Sequence, residues 1–152
     1  MAGNSPQGAT AMSSDLQRLG LAIKRVQDRH HRTLDAALIG IGATLAQWNA
    51  LRAIARHPES SSHKLAGLTF QTDQSFGALA NRMVDRGLIR RVAGEGRAIL
   101  HHLAPEGERL LEAGKAVAER VLATSFAPLT KAERLQLQAL LAKLLGDDAP
   151  GG

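Results

Sequence analysis

Apolar side chains recur every three or four positions at Leu16, Leu19, Ile23, Val26, Leu34 and Leu38, with His30 on the same line. That is the period of one helix face. The other face carries Arg18, Lys24, Arg25, Asp28, Arg29 and Arg32. Ser14-Asp15 predicts the start of this first helix and Gly40 with Gly42 its end. Thr44 predicts the cap of a second helix through Trp48, Leu51, Ile54 and Ala55. His57-Pro58 stops it, because proline pushes the preceding residue out of the α region. Candidate caps at Ser60, Ser61 and Ser62 precede a short third helix with Leu65, Ala66 and Leu68. A turn at Thr69-Phe70-Gln71 leads to Thr72, the cap of a fourth helix. Phe76, Leu79, Ala80, Met83 and Val84 are its inner face, and Gly87 is the residue just past its end. The pattern then changes. Residues 88–92 and 98–103 read as two strands around Gly94-Glu95-Gly96-Arg97. Pro105 opens a fifth helix with Leu110, Leu111, Val117, Val121 and Leu122. The capping box Thr130-Lys131-Ala132-Glu133 opens a sixth, with Leu135, Leu137, Leu140, Leu141, Leu144 and Leu145.

These elements predict a mainly α protein with a small β-wing. Residues 1–14 lack periodicity and read as a disordered leader, and 147–152 as a flexible tail. Between them lie an N-terminal dimerisation helix (15–42), a winged helix-turn-helix module (43–104) and C-terminal dimerisation helices (105–146). The order helix, helix, β-hairpin is how a winged helix-turn-helix reads duplex DNA: one helix enters the major groove and a cationic tip reaches the backbone or minor groove. The remaining helices carry more apolar surface than so small a module can cover. A second copy of the chain is the expected cover, with packing of the three helices on one another as the alternative.

Composition narrows the picture. Hydrophobic residues are 44% of 152, enough for a core, but aromatics are only 3%. So few rings argue against single-strand binding by base stacking. Net charge is +5. From Thr44 to Leu103 the cations Arg52, Arg56, Lys64, Arg82, Arg86, Arg90, Arg91 and Arg97 face only Glu59, Asp73, Asp85 and Glu95, a local excess that favours a polyanionic partner. Cysteine is absent, which removes thiolate chemistry and disulfides. No apolar run is long enough for a membrane span, and no signal-peptide pattern opens the chain, so a cytoplasmic protein without a membrane partner is expected. There is no nucleophile elbow, phosphate-binding glycine loop or metal-ligand cluster, so neither catalysis nor a cofactor is expected. The adjacent histidine pairs His30-His31 and His101-His102 diverge on a helix or a strand and do not chelate one ion easily.

The candidate DNA-binding residues follow from position. Gln74 and Ser75 open the fourth helix, where side chains point into the groove, and Gln can pair with adenine N6 and N7. Thr72 caps that helix, Gly77 either permits close approach to the duplex or merely costs helix stability, and Arg82 and Lys64 are backbone contacts. Of Arg90 and Arg91, adjacent in a strand, at most one faces phosphate. Arg97, at the wing tip, is the cation best placed for a narrow minor groove. Asp73 favours the helix dipole but repels phosphate, and reads as a capping residue near Thr72.

Three segments resemble the MarR family of winged-helix transcriptional regulators. Leu45-Ala46-Gln47-Trp48-Asn49-Ala50-Leu51 resembles its second helix. Asn81-Arg82-Met83-Val84-Asp85-Arg86-Gly87-Leu88-Ile89-Arg90-Arg91 resembles the end of its recognition helix and first wing strand. Gly96-Arg97-Ala98-Ile99 with Leu103-Ala104-Pro105-Glu106-Gly107 resembles its second wing strand and following helix. The likeness runs from Asp15 to Leu145. It implies a triangular homodimer with interleaved terminal helices, a pseudo-palindromic double-stranded operator, repression, and release by a small phenolic or aromatic anion. A ligand pocket of that family would lie between the DNA-reading module and the dimerisation helices, where Arg29, His31, Trp48 and Arg52 could supply an aromatic wall and cations. The alternative is that Trp48 is simply core and the arginines solvated. This chain departs from the family at its short wing, which lacks the usual acidic pair and second arginine. Ala104 replaces a threonine cap. Ala78 replaces a recognition-helix arginine, which shifts base reading to Gln74 and Ser75 and leaves a winged-helix protein-interaction module without DNA binding as the competing reading.

Overall fold

The computed structural model describes residues 6–146. Six helices and one hairpin follow in the order α1 (Pro6–Ile39), α2 (Leu45–Arg56), α3 (Ser62–Leu68), α4 (Asp73–Asp85), β1 (Ile89–Ala93), β2 (Ile99–Leu103), α5 (Pro105–Phe126) and α6 (Lys131–Leu145).

Helix starts obey local chemistry. Thr44 accepts from the Gln47 N–H at 3.1 Å while the Gln47 side chain accepts from the Thr44 N–H at 3.0 Å, a reciprocal box that satisfies two donors. Ser61 and Thr72 cap α3 and α4 with the side chain alone, accepting from the Lys64 and Ser75 N–H groups, and Thr130 with Glu133 forms the second reciprocal box, at α6. Ala104 offers no side-chain cap, and Pro105 starts α5 without one. At the end of α4, Gly87 takes φ +71°. The N–H groups of Gly87 and Leu88 then donate to the Val84 and Met83 carbonyls, both at 2.9 Å, closing a Schellman turn.

Three boundaries differ from the sequence reading, the start of α1 most of all. The chain is helical from Pro6, so residues 6–14 extend α1 where a disordered leader was expected. Proline suits a first helical position and Ala9, Ala11 and Met12 favour helix, whereas Gly8, Thr10, Ser13 and Ser14 do not, so neither propensity nor an apolar pattern marks this extension in the sequence. Residues 1–5 of that leader, and the expected tail over 147–152, lie outside the described residues. Each strand also begins one residue later than expected. Leu88 is core, and Ala98 belongs to the turn, its N–H donating to the Glu95 carbonyl at 3.2 Å.

The core gathers Leu38, Leu51, Ile54, Leu65, Phe76, Met83, Leu88 and Leu110, drawn from α1 through α5. α5 lies close against this core because two of its residues lack a side chain. A Cβ on Gly107 would stand 2.0 Å from the Leu88 carbonyl oxygen, and one on Gly114 would stand 2.1 Å from Trp48 Nε1. α1 packs along α5, where His30 pairs with the Ser125 hydroxyl and meets the Phe126 ring edge-on at 5.2 Å. Of the α1 stripe, only Leu34 and Leu38 join the core; Leu16, Leu19, Ile23 and Val26 are exposed. α6 buries none of its residues, and Leu140 and Leu144 are 54% and 72% exposed. The single chain thus leaves two apolar helix faces uncovered.

Candidate nucleic-acid interface

α4 is two-faced. Phe76, Leu79, Ala80 and Met83 are buried against the core. Gln74, Ala78 and Arg82 stand at i, i+4 and i+8 on the opposite side with Ser75 beside them, all exposed, and Gly77 is half-buried. Thr72 Oγ1 accepts from the Ser75 N–H at 3.1 Å, which fixes the first turn and leaves the Ser75 hydroxyl outward. Lys64 is exposed on α3, whose first turn is tied down by Ser61.

The wing flanks this face. β1 and β2 pair antiparallel with Arg90 opposite His102 and Arg91 opposite His101. The Gly94 N–H donates to the Ala98 carbonyl at 2.8 Å, and Gly96 at φ +63° makes the tight tip that only glycine enters readily. Arg97, next in the chain, is exposed and makes no hydrogen bond or ion pair among the described residues. Arg91 is spoken for: its guanidinium bonds the Asn81 side chain on α4. Arg90 therefore remains the freer of the adjacent pair.

Asp73 has a partner that local reading does not reveal. His63 Nδ1 on α3 lies 2.9 and 3.0 Å from its two carboxylate oxygens. Thr72 does the capping, and Asp73 ties the two helices of the reading unit across their exposed side. Arg86 is a second residue not anticipated in this role. Its Nη1 donates to Gln47 Oε1 at 2.9 Å and its Nη2 to the Gly42 carbonyl at 2.8 Å. One planar fork thereby joins the end of α4 to the corner between α1 and α2. Both contacts bridge residues distant in sequence, so no periodicity or motif signals them.

Behind α4 sits a buried histidine. His101 is 3% exposed, meets the Phe76 ring edge-on at 6.2 Å, and leaves Nδ1 without a partner. Burial, with Arg91 adding, lowers its pKa below the ordinary 6.5. The unfolded chain therefore takes the proton first. His101 contributes stability that is intact above about pH 6.5 and is lost as pH falls from there toward the depressed folded value. Denaturant melts at pH 7.5 and 5.5 should show a smaller acid loss in His101→Leu than in the parent chain. An equal loss in both would remove His101 from the account.

Of the proposed ligand residues, the structure joins only two. Trp48 is buried, with Nε1 donating to the Leu111 carbonyl at 3.2 Å, and Arg52 lies over its ring at 4.7 Å. Burial and the neighbouring Arg56 lower the pKa of Arg52. Arg29 and His31 are exposed on α1; the Thr33 hydroxyl donates to the Arg29 carbonyl at 2.8 Å, and neither the Arg29 nor the His31 side chain makes a hydrogen bond among the described residues.

A fully capped reading helix with a polar outer face, a cationic hairpin beside it and long helices at both ends define a winged helix-turn-helix regulator. The MarR family model matches residues 41–98, and the chain belongs to that family. It is 29% identical over 131 residues to the HTH-type transcriptional repressor Rv2887 of Mycobacterium tuberculosis, spanning 85% of this chain and 94% of that one. Solved structures of Rv2887 in complex with DNA and with salicylic acid superpose with TM-scores of 0.70, each over 83% of this chain and 96% and 95% of theirs, at 26% and 29% identity. A probable transcriptional regulator from Pseudomonas aeruginosa is 34% identical with a TM-score of 0.71, covering 82% of this chain and 95% of that one.

Proposed function

We propose that this protein is a homodimeric, sequence-specific double-stranded DNA-binding transcriptional regulator, acting as a repressor on a pseudo-palindromic operator in the cytoplasm and released by a small phenolic acid. The observation that carries this reading is the exposed face of α4 beside an unpaired wing-tip arginine. A helix with that outer chemistry fits the major groove, and a free guanidinium at the hairpin tip fits the minor groove beside it. Gln74 and Ser75 read base edges. Thr72, Gly77 and Ala78 set how closely the backbone approaches. Lys64, Arg82, Arg90 and Arg97 neutralise phosphate or groove potential without specifying sequence. The exposed leucines of α6 and the N-terminal half of α1 meet their counterparts in a second copy, which places two α4 helices one DNA turn apart. The relatives are transcriptional regulators rather than enzymes. No helix among the described residues is long and apolar enough to cross a membrane.

The release step draws on the Rv2887 salicylic acid complex. Arg52, held against Trp48, is the cation this chain offers a carboxylate between the reading module and the long helices, with Arg29 and His31 as approach residues from α1.

The test is selection of a duplex from a random-sequence pool by the purified protein, followed by titration with and without salicylate. A palindromic consensus bound by a dimer and released by the acid is expected. A monomer that selects no duplex would instead favour a protein-interaction module, a reading that Asp73 and Ala78 on the outer side of α4 would fit. Within the DNA reading, Arg97→Ala should weaken binding to every duplex and reduce the slope of log affinity against log salt by about one per subunit. Unchanged affinity and slope would take Arg97 out of the interface.

A further inference from the structure

Phe70 is the odd residue of the reading unit. It lies in the turn between α3 and α4, two positions before the Thr72 cap. Its side chain is 99% exposed, and its φ is +55°, the only positive value at a non-glycine residue among those described. The left-handed turn itself serves folding, since the N–H groups of Phe70 and Gln71 donate to the Gly67 and Ala66 carbonyls and close α3; placing an exposed residue with a Cβ there does not. The left-handed region disfavours any residue with a Cβ, and a ring left in water gains nothing from burial. Glycine would hold this turn better. A phenylalanine kept fully exposed where glycine closes the helix at less cost points to a use outside the core.

The occupant can be argued from the surroundings. The chain around Phe70 is polar: Gln71, Thr72 and Asp73 follow it, and Leu68, at 41% exposure, is the exposed large apolar residue nearest to it along the chain. Protein-docking surfaces are contiguous areas of several hundred Å². A base edge asks for less. The C5-methyl of thymine in the major groove is read by one apolar side chain. Phe70 stands at the end of α4 that carries Gln74 and Ser75, and α3 and α4 pack chiefly on α2 and the hairpin, not on the terminal helices left for the second subunit.

We propose that Phe70 is a specificity residue that contacts a thymine methyl at the edge of the groove entered by α4. The proposal rests on the DNA-binding reading above. It assigns a base-edge role to the helix-turn-helix turn, where the sequence offered only a connector, and it supplies apolar recognition on a face otherwise built from Gln74 and Ser75.

Phe70→Gly separates this role from folding, because the variant relieves the turn instead of damaging it. Its melting temperature should rise by about 2–4 °C. Affinity for the duplex selected by the parent protein should fall about tenfold, while affinity for a scrambled duplex and the salt slope stay unchanged, since no charge is removed. Replacing thymidine by deoxyuridine in the selected duplex deletes the methyl alone. The parent protein should lose affinity at one thymine in each half-site, and Phe70→Gly should lose nothing there. Undiminished binding of the selected duplex by Phe70→Gly overturns the proposal. So does an equal loss on selected and scrambled duplex, which would mark a sugar-phosphate contact. If the parent protein selects no duplex at all, the regulatory reading fails first and this proposal with it.

Discussion

Gly114→Ala should remove about 3 kcal/mol or more of stability, the upper end of what one inserted methyl does to a packed interior. The new Cβ would stand 2.1, 2.3 and 2.8 Å from three atoms of the Trp48 indole, inside any tolerable contact. The indole has nowhere to go. It is 5% exposed, its Nε1 is bonded to the Leu111 carbonyl on α5 itself, and Arg52 occupies one face. Relief would require α5 to lift away, which also breaks its contacts through Leu110 and Val117 and along α1. Proteins of this size have about 5–15 kcal/mol to lose, so the variant should unfold at a markedly lower urea midpoint or fail to accumulate. Gly67→Ala is the control: its Cβ meets nothing within 4 Å, and it should be neutral or slightly stabilising. Equal midpoints for Gly114→Ala and the control would show that α5 shifts freely, contrary to the packing described.

The second large effect concerns α6. Leu140→Glu combined with Leu144→Glu should leave the fold of each chain intact, because both side chains are more than half exposed in the single subunit. Two carboxylates on a surface that a second copy must desolvate should prevent association. Each subunit then holds only half a palindrome, and the gain from tethering two reading heads is lost, a drop of about 100-fold or more in operator affinity. Sedimentation should show one subunit with unchanged helical circular dichroism. A dimer that survives both substitutions would mean that α6 lies outside the interface.

How far these features could be read from sequence depended on distance along the chain. Caps and turns were legible because their chemistry spans three residues: Thr72 with Ser75, Thr130 with Glu133, Gly87 past the end of α4. The inner face of α4 was legible because its period is regular. The start of α1 was not, because residues 6–14 carry neither an apolar stripe nor a consistent helix propensity to mark them. The His63–Asp73 and Arg86–Gln47 contacts were not, because each joins residues ten or more positions apart whose identities are ordinary for exposed helix. The intolerance of Gly107 and Gly114 was hidden too: a glycine in a helical pattern looks the same whether it faces water or an indole. Phe70 looked like a simple turn residue until its exposure and backbone angle set it apart.

The Arg86 fork has a mechanical meaning. Two hydrogen bonds from one rigid plane fix an angle, whereas one bond fixes only a separation. The α1–α2 corner and the tail of α4 are therefore braced at one angle by a single side chain, and a tilt of α1 has a direct route to the groove-facing helix through it.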